Sequence, residues 1–134
     1  MYIIVKHERR HHIFHVLTII GGACIVWGIS MFLKEIIEHP RPDLTGALFI
    51  PGDKYSFPSG HAAYMFGLAF LMRHFDTKAQ VILLVLAALT GIARVMSGVH
   101  YWYDIVGGII FGFLITFFKK QSLPRKNDEI YLLL

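Results

Sequence analysis

Three cations, two histidines and a carboxylate in this chain have the types and spacing that suit work on a phosphate. They are Lys34, Arg41, Arg94, His61, His100 and Asp104, and the first histidine closes the turn Pro58-Ser59-Gly60-His61. Ser59, behind Pro58, is well placed as an N-cap, which leaves the first backbone N–H groups of the following helix unpaired. Such a terminus carries partial positive charge and is a ready anion site. Gly60 lets a phosphate come close to the backbone. Lys34, Arg41 and Arg94 would neutralise the phosphoryl oxygens, the arginines in bidentate fashion. His100 and Asp104 are four residues apart, so they share a face if the last helix already begins at His100. A carboxylate so placed holds an imidazole in one tautomer and leaves the other nitrogen free to attack. His61 is then left to protonate a leaving group.

The elements that must position these residues are apolar. The chain has 134 residues, 55% hydrophobic and 16% charged, against roughly 45–50% and 25% in soluble domains. Its apolar residues come in long runs rather than spread evenly, which is the pattern of an all-α membrane bundle. Four runs are predicted to span or nearly span a bilayer: Ile13 to Leu33, Ser59 to Phe75, Ala79 to Val99 and Tyr101 to Phe118. The last opens on an aromatic belt, Tyr101-Trp102-Tyr103. Between the first two lies an irregular, proline- and glycine-rich loop from Glu35 to Phe57, and loops of this length in compact proteins are functional or disordered. Residues 1–134 read as one membrane domain with a motif-bearing core at 33–118, a basic segment at 1–12 and a polar tail at 119–134. The tail ends in an apolar stretch, Tyr131 to Leu134, that this reading leaves unassigned. No cleavable signal peptide is expected, because no A-x-A-like site follows the first run.

The net charge of +4 sits mostly beside apolar segments, which favours anionic lipid over nucleic acid. A cytoplasmic N-terminus places Lys6, Arg9, Arg10, Arg73, Lys78, Lys119, Lys120, Arg125 and Lys126 inside, and Lys34, Arg41, Lys54 and Arg94 outside. That division follows the positive-inside rule and puts both termini in the cytoplasm. It also brings Lys34, Arg41, Ser59, Gly60, His61, Arg94, His100 and Asp104 to one depth on the extracytoplasmic side of a multi-pass plasma-membrane protein.

In order along the chain, Lys34-x6-Arg41-Pro42, Pro58-Ser59-Gly60-His61 and Arg94-x5-His100-x3-Asp104 resemble the three signature motifs of the type 2 phosphatidic acid phosphatase and vanadium haloperoxidase superfamily. The resemblance covers roughly residues 33–118. It implies that Lys34, Arg41, Ser59, Gly60 and Arg94 bind phosphate, His100 forms a phosphohistidine, Asp104 orients it and His61 is the acid, with no metal and no cofactor. There are two departures. Ala93 stands where such motifs usually carry serine, which removes a supporting hydroxyl and is expected to lower activity. Membrane members that look like this usually have six spans, two of them ahead of the lysine-bearing helix. The four spans here therefore fit a minimal form, part of a longer protein, or a unit completed by a partner subunit.

The resemblance implies a phosphatase acting on lipid phosphate or diphosphate monoesters of the polyprenyl diphosphate, phosphatidic acid or phosphatidylglycerophosphate type. The competing reading is a non-catalytic or partner-dependent membrane protein that binds anionic lipid. A vanadate-dependent haloperoxidase is disfavoured, because those enzymes are soluble and much longer. Several features have plainer explanations. Taken alone, Arg94 reads as a snorkelling interfacial arginine and Asp104 as a helix cap. Lys54 reads as a solvated loop residue, and Cys24 as a small buried apolar residue. His7, His11, His12 and His15 repeat at four-residue spacing, yet with arginines interleaved they read as a basic interfacial segment rather than a metal site. Gly108-x3-Gly112 fits close helix packing, within the chain or across a homodimer.

Overall fold

The structure, a computed structural model, describes residues 2–73 and 75–119, with side chains from 16 to 117 within them. The described residues form four α-helices: α1 (Tyr2–Ile37), α2 (Gly60–Met72), α3 (Thr77–Met96) and α4 (Trp102–Lys119). A short 3-10 turn at Leu44–Gly46 lies in the loop between α1 and α2, and the described residues contain no strand.

The helix ends follow local chemistry. Glu38 takes a positive φ of 53° immediately after α1, and Pro40 and Pro42 then prevent the helix from continuing. Ser59 caps α2, its hydroxyl accepting from the Ala62 N–H at 3.4 Å. Asp76 caps α3 by accepting from Lys78 and Ala79 at 2.8 and 3.1 Å. At the other end of α3, Gly98 turns back with φ +76° and donates to the Val95 carbonyl at 2.9 Å. Left-handed glycine is the usual way to end a helix.

Helix α2 is the middle of the bundle and packs against α1, α3 and α4. It is buried nearly all round, through Gly60, Ala62, Ala63, Phe66, Gly67, Ala69 and Leu71. Ala62, Phe66, Ala87 and Ile105 form the apolar core between α2, α3 and α4. The inward stripe of α1 runs Ile19, Ala23, Val26, Ser30, Lys34, the spacing of one helix face, and it delivers Lys34 to the end of the bundle where α2 begins. The closest seam is α2 against α4. A Cβ on Gly108 would meet the Ser59 carbonyl and the Ala62 side chain at 2.8 Å, and one on Gly112 would meet the Ala63 carbonyl at 3.1 Å. The Gly108/Gly112 pair thus serves packing within the chain.

The outer surfaces of α1, α3 and α4 are apolar and exposed, for example Leu17 at 65%, Ile82 at 61% and Val106 at 53%. Apolar area on that scale needs a covering medium, and lipid is one. The segments Val16–Ile37 (22 residues) and Thr77–Met96 (20 residues) are long and apolar enough to cross a membrane, while α2 and the apolar part of α4 are shorter.

Two expectations are corrected. Helix α1 extends well beyond the apolar run at both ends, because a helix needs no apolar residue to continue through Lys34 to Ile37 or back through the basic segment. The last helix begins at Trp102, so His100 precedes it and meets Asp104 from the connection before the helix. Side chains of His7, His11, His12 and His15, and the tail beyond Lys119, lie outside the described residues.

Candidate active site

Lys34 sits in the last turn of α1 and is 2% exposed. A buried ammonium must be paired, and its donors are fully used: Asp53 Oδ2 at 2.6 Å, the Tyr55 carbonyl at 2.8 Å and the Ser56 carbonyl at 3.3 Å. Arg41 reaches the same carboxylate. Its Nη2 lies 2.7 Å from Asp53 Oδ1, an ion pair whose geometry does not align a hydrogen bond. Its Nε donates to the Asp53 carbonyl at 3.0 Å and its Nη1 to the Val99 carbonyl at 2.6 Å. Arg41 therefore ties the α1–α2 loop to the connection that carries His100.

His100 is 3% exposed and Asp104 fully buried. His100 Nδ1 lies 3.1 Å from Asp104 Oδ2, which also accepts the Tyr101 N–H at 2.8 Å. An acidic residue in the first helical turn that reaches back to the N-cap N–H is half of a capping box, so the carboxylate starts α4 and holds the imidazole at once. With Nδ1–H given to Asp104, Nε2 is left with its lone pair. Burial pushes the His100 imidazole below its ordinary pKa, opposed by the Asp104 hydrogen bond and assisted by the charges of Lys34 and Arg41. Neutral His100 is the form that can attack.

The start of α2 is pinned to this pair, because the Ser59 N–H donates to the Asp104 carbonyl at 3.0 Å. The Gly60 N–H and His61 N–H head the helix without intrahelical partners. The Cα of Gly60 also faces α1, where a Cβ would meet Ser30 and Trp27 at 3.3 Å, so glycine here allows close helix packing as well. His61 is exposed and lies within electrostatic reach of Arg94, His100, Asp53 and Lys34. It also borders an open apolar groove lined by Cys24, Trp27, Tyr64, Met65 and Thr90. The Arg94 guanidinium lies 4.9 Å from the centre of the Phe49 ring. Its Nε is buried with no hydrogen-bond partner among the described residues. Ala93 is exposed, and the nearby hydroxyl comes from Ser97, which donates to the Arg94 carbonyl at 3.0 Å.

All eight residues singled out from the sequence thus meet at one end of the bundle. Three participants were missed. Asp53 is the counter-ion of both Lys34 and Arg41. Ser56, fully buried, approaches Asp104 Oδ1 at 3.4 Å and His39 Nδ1 at 3.0 Å. His39 in turn packs edge-on against Tyr101 and Tyr103. The available signal for Asp53 was indirect: a lysine inside a bundle demands a carboxylate, and the loop offers few. Burial alone would raise the Asp53 carboxyl, but Lys34, hydrogen-bonded to it, and Arg41 outweigh burial and hold it below the usual carboxylate range. Lys54 is exposed, lies over the Tyr55 ring and takes no part. Cys24, expected to be buried, is exposed instead. It faces outward from α1 between the inward positions Ala23 and Val26.

The described residues form a helical bundle with an apolar exterior that gathers cations, a histidine–carboxylate pair and a helix start at one end, the arrangement of a membrane protein suited to holding an anion. Residues 12–128 match the family model of the PAP2 superfamily, and the chain belongs to that superfamily. It is 36% identical over 103 residues to phosphatidylglycerophosphatase B of Bacillus subtilis (strain 168), covering 69% of this chain and 50% of that protein. It is 29% identical over 123 residues to the undecaprenyl-diphosphatase BcrC of the same strain, covering 88% and 62%. The crystal structure of a transmembrane PAP2 type phosphatidylglycerolphosphate phosphatase from Bacillus subtilis superposes with a TM-score of 0.56 at 32% identity, covering 78% of this chain and 60% of that one. The chain spans about half the length of phosphatidylglycerophosphatase B. Its place is in the membrane, as its apolar helices and transmembrane relative indicate.

Proposed function

We propose that this chain is a membrane phosphatase that hydrolyses lipid phosphate or diphosphate monoesters through a phosphohistidine, without a metal ion. The observation that carries the reading is the buried His100–Asp104 pair set beside Lys34, Arg41 and Arg94. Arg94 Nε is a buried donor with no hydrogen-bond partner among the described residues. An unmet buried donor costs about 1–3 kcal/mol, and a phosphoryl group supplies acceptors. Binding of anionic lipid alone would use the cations but has no need of a tautomer-locked imidazole.

In this mechanism His100 Nε2 attacks phosphorus as the bond from phosphorus to the lipid-side oxygen breaks. His61 gives its proton to that oxygen, and the lipid alcohol, or the lipid monophosphate from a diphosphate, departs. Water then attacks the phosphohistidine and gives a proton to neutral His61. Inorganic phosphate leaves and His100 is restored. The cations and the N–H groups at the start of α2 carry the charge that develops on the phosphoryl oxygens. The open apolar groove beside His61 suits a leaving group that bears a hydrocarbon tail. Phosphatidylglycerophosphate, phosphatidic acid and polyprenyl diphosphate all have that chemistry, and the named activities of the two relatives support the first and the last.

The deciding experiment measures inorganic phosphate released from these three lipids in detergent containing EDTA. Release is expected to persist in EDTA and to be inhibited by vanadate, which mimics the five-coordinate phosphoryl transition state. Loss in EDTA with recovery on adding Mg²⁺ would rule out this mechanism, and no release from folded protein would favour the non-catalytic lipid-binding reading.

The proposal includes an orientation, with both termini cytoplasmic and the site extracytoplasmic, supported by the distribution of Lys and Arg. In a Cys24→Ser background, Lys54→Cys is expected to react with a membrane-impermeant maleimide added outside intact cells. Reaction only after permeabilisation would invert the topology.

A further inference from the structure

Resting on that reading, we propose that Asp53 is a resident anion of the phosphate cradle, a carboxylate that substrate must displace and that limits how tightly product phosphate is held. It bridges the two cations with one oxygen each, Oδ2 on Lys34 at 2.6 Å and Oδ1 on Arg41 at 2.7 Å. Two oxygens of a phosphoryl group bound by the same cations would take those positions. The cations are deeply buried, at 2% and 4% side-chain exposure, whereas Asp53 is 28% exposed. The carboxylate therefore covers the cations from the open side, across the path a headgroup would take.

Charge decides between displacement and coexistence. A phosphate dianion beside a retained carboxylate would set like charges at close range in a partly desolvated site, which is strongly unfavourable. Asp53 is ionised at neutral pH, because Lys34 and Arg41 hold it below the ordinary carboxylate range despite its partial burial. Departure needs only the side chain to rotate, because the Asp53 backbone stays anchored: Arg41 Nε bonds its carbonyl at 3.0 Å. Between turnovers the carboxylate spares Lys34 and Arg41 from lying buried and unpaired, a costly state for any ion. During turnover it competes with the released phosphate. Asp53 touches no reacting atom in this scheme and acts by occupying the subsite.

The test compares wild type with Asp53→Asn, which keeps the shape and removes the charge. Two readouts are inhibition of lipid-phosphate hydrolysis by vanadate and by inorganic phosphate. A third, independent of turnover, is the shift in thermal unfolding produced by each anion. The Asn variant is expected to bind both anions about tenfold more tightly or better, with a lower KM and stronger product inhibition. Asp53→Glu, which keeps the charge, is expected to stay near wild type. Asp53→Ser, which leaves a hydroxyl facing the cations, repeats the measurement if the amide disturbs folding. Unchanged or weaker anion binding in the neutral variants, with wild type binding vanadate normally, overturns this inference alone. If wild type binds neither anion, the phosphatase reading falls as well.

Discussion

His100→Ala is expected to lower phosphate release by a factor on the order of 10⁴ or more, while leaving the fold intact. Removing a nucleophile that no neighbour can replace has effects of this size in enzymes that form a covalent intermediate. Of the two histidines, His100 alone has a carboxylate fixing its tautomer, so His61 is not its substitute. The variant should also yield no acid-labile phosphoprotein in rapid quench, which wild type should show. Retained turnover would assign the nucleophile elsewhere. The wild-type pH profile carries the same claim. Burial holds the His100 pKa below the ordinary imidazole value, about 6.5. The neutral, attacking form then persists as pH falls through 6.5, and kcat/KM should decline only at lower pH, where Nε2 takes a proton. An acid limb at or above 6.5 would contradict that assignment.

Arg94→Ala is expected to cost about 10²–10³ in kcat/KM, the usual effect of losing one preorganised donor to a developing oxyanion. The buried, unmet Nε of Arg94 supports this size of effect, as does the lack of any carboxylate ion pair to it among the described residues. Asp53 is paired with both Lys34 and Arg41, so Arg94 is the cation most available to an arriving headgroup. Arg94→Lys should recover only part of the loss, because an ammonium cannot present the planar fork. Turnover unchanged in Arg94→Ala would reduce the residue to a cation stacked on Phe49 at the membrane surface.

What could be read from the sequence, and what could not, divides by distance along the chain. The start of α2 was readable because Pro58 and Ser59 are local instructions: proline sets the entry and a hydroxyl meets the helix N–H groups. The existence of the other helices was readable from apolar runs, but the true ends of α1 were not, since the unbroken apolar run stops at Leu33 while the helix runs to Ile37. The start of α4 was legible to within a residue, but the condition that would put His100 on that helix is not met, because Asp104 reaches backwards to Tyr101 and holds an imidazole that lies ahead of the helix. Motif order singled out the eight residues that folding gathers at one end of the bundle. Asp53 was not legible, because its partners lie nineteen and twelve residues away and only folding brings them together. Gly108 and Gly112 announced a close contact, but nothing local named α2 as the partner.

The α2–α4 seam also sets how freely the molecule can change. His100 and His61 are held in register by main chain, through the Ser59 N–H on the Asp104 carbonyl and two glycines where a methyl group would crowd the α2 backbone. The outward sides of α1 and α3 answer only to lipid, and many apolar side chains satisfy lipid equally well. The protein therefore has a stiff gauge at its centre and an interchangeable coat. An engineer adapting it to a different tail or bilayer thickness has the coat to work with, and should leave the gauge alone.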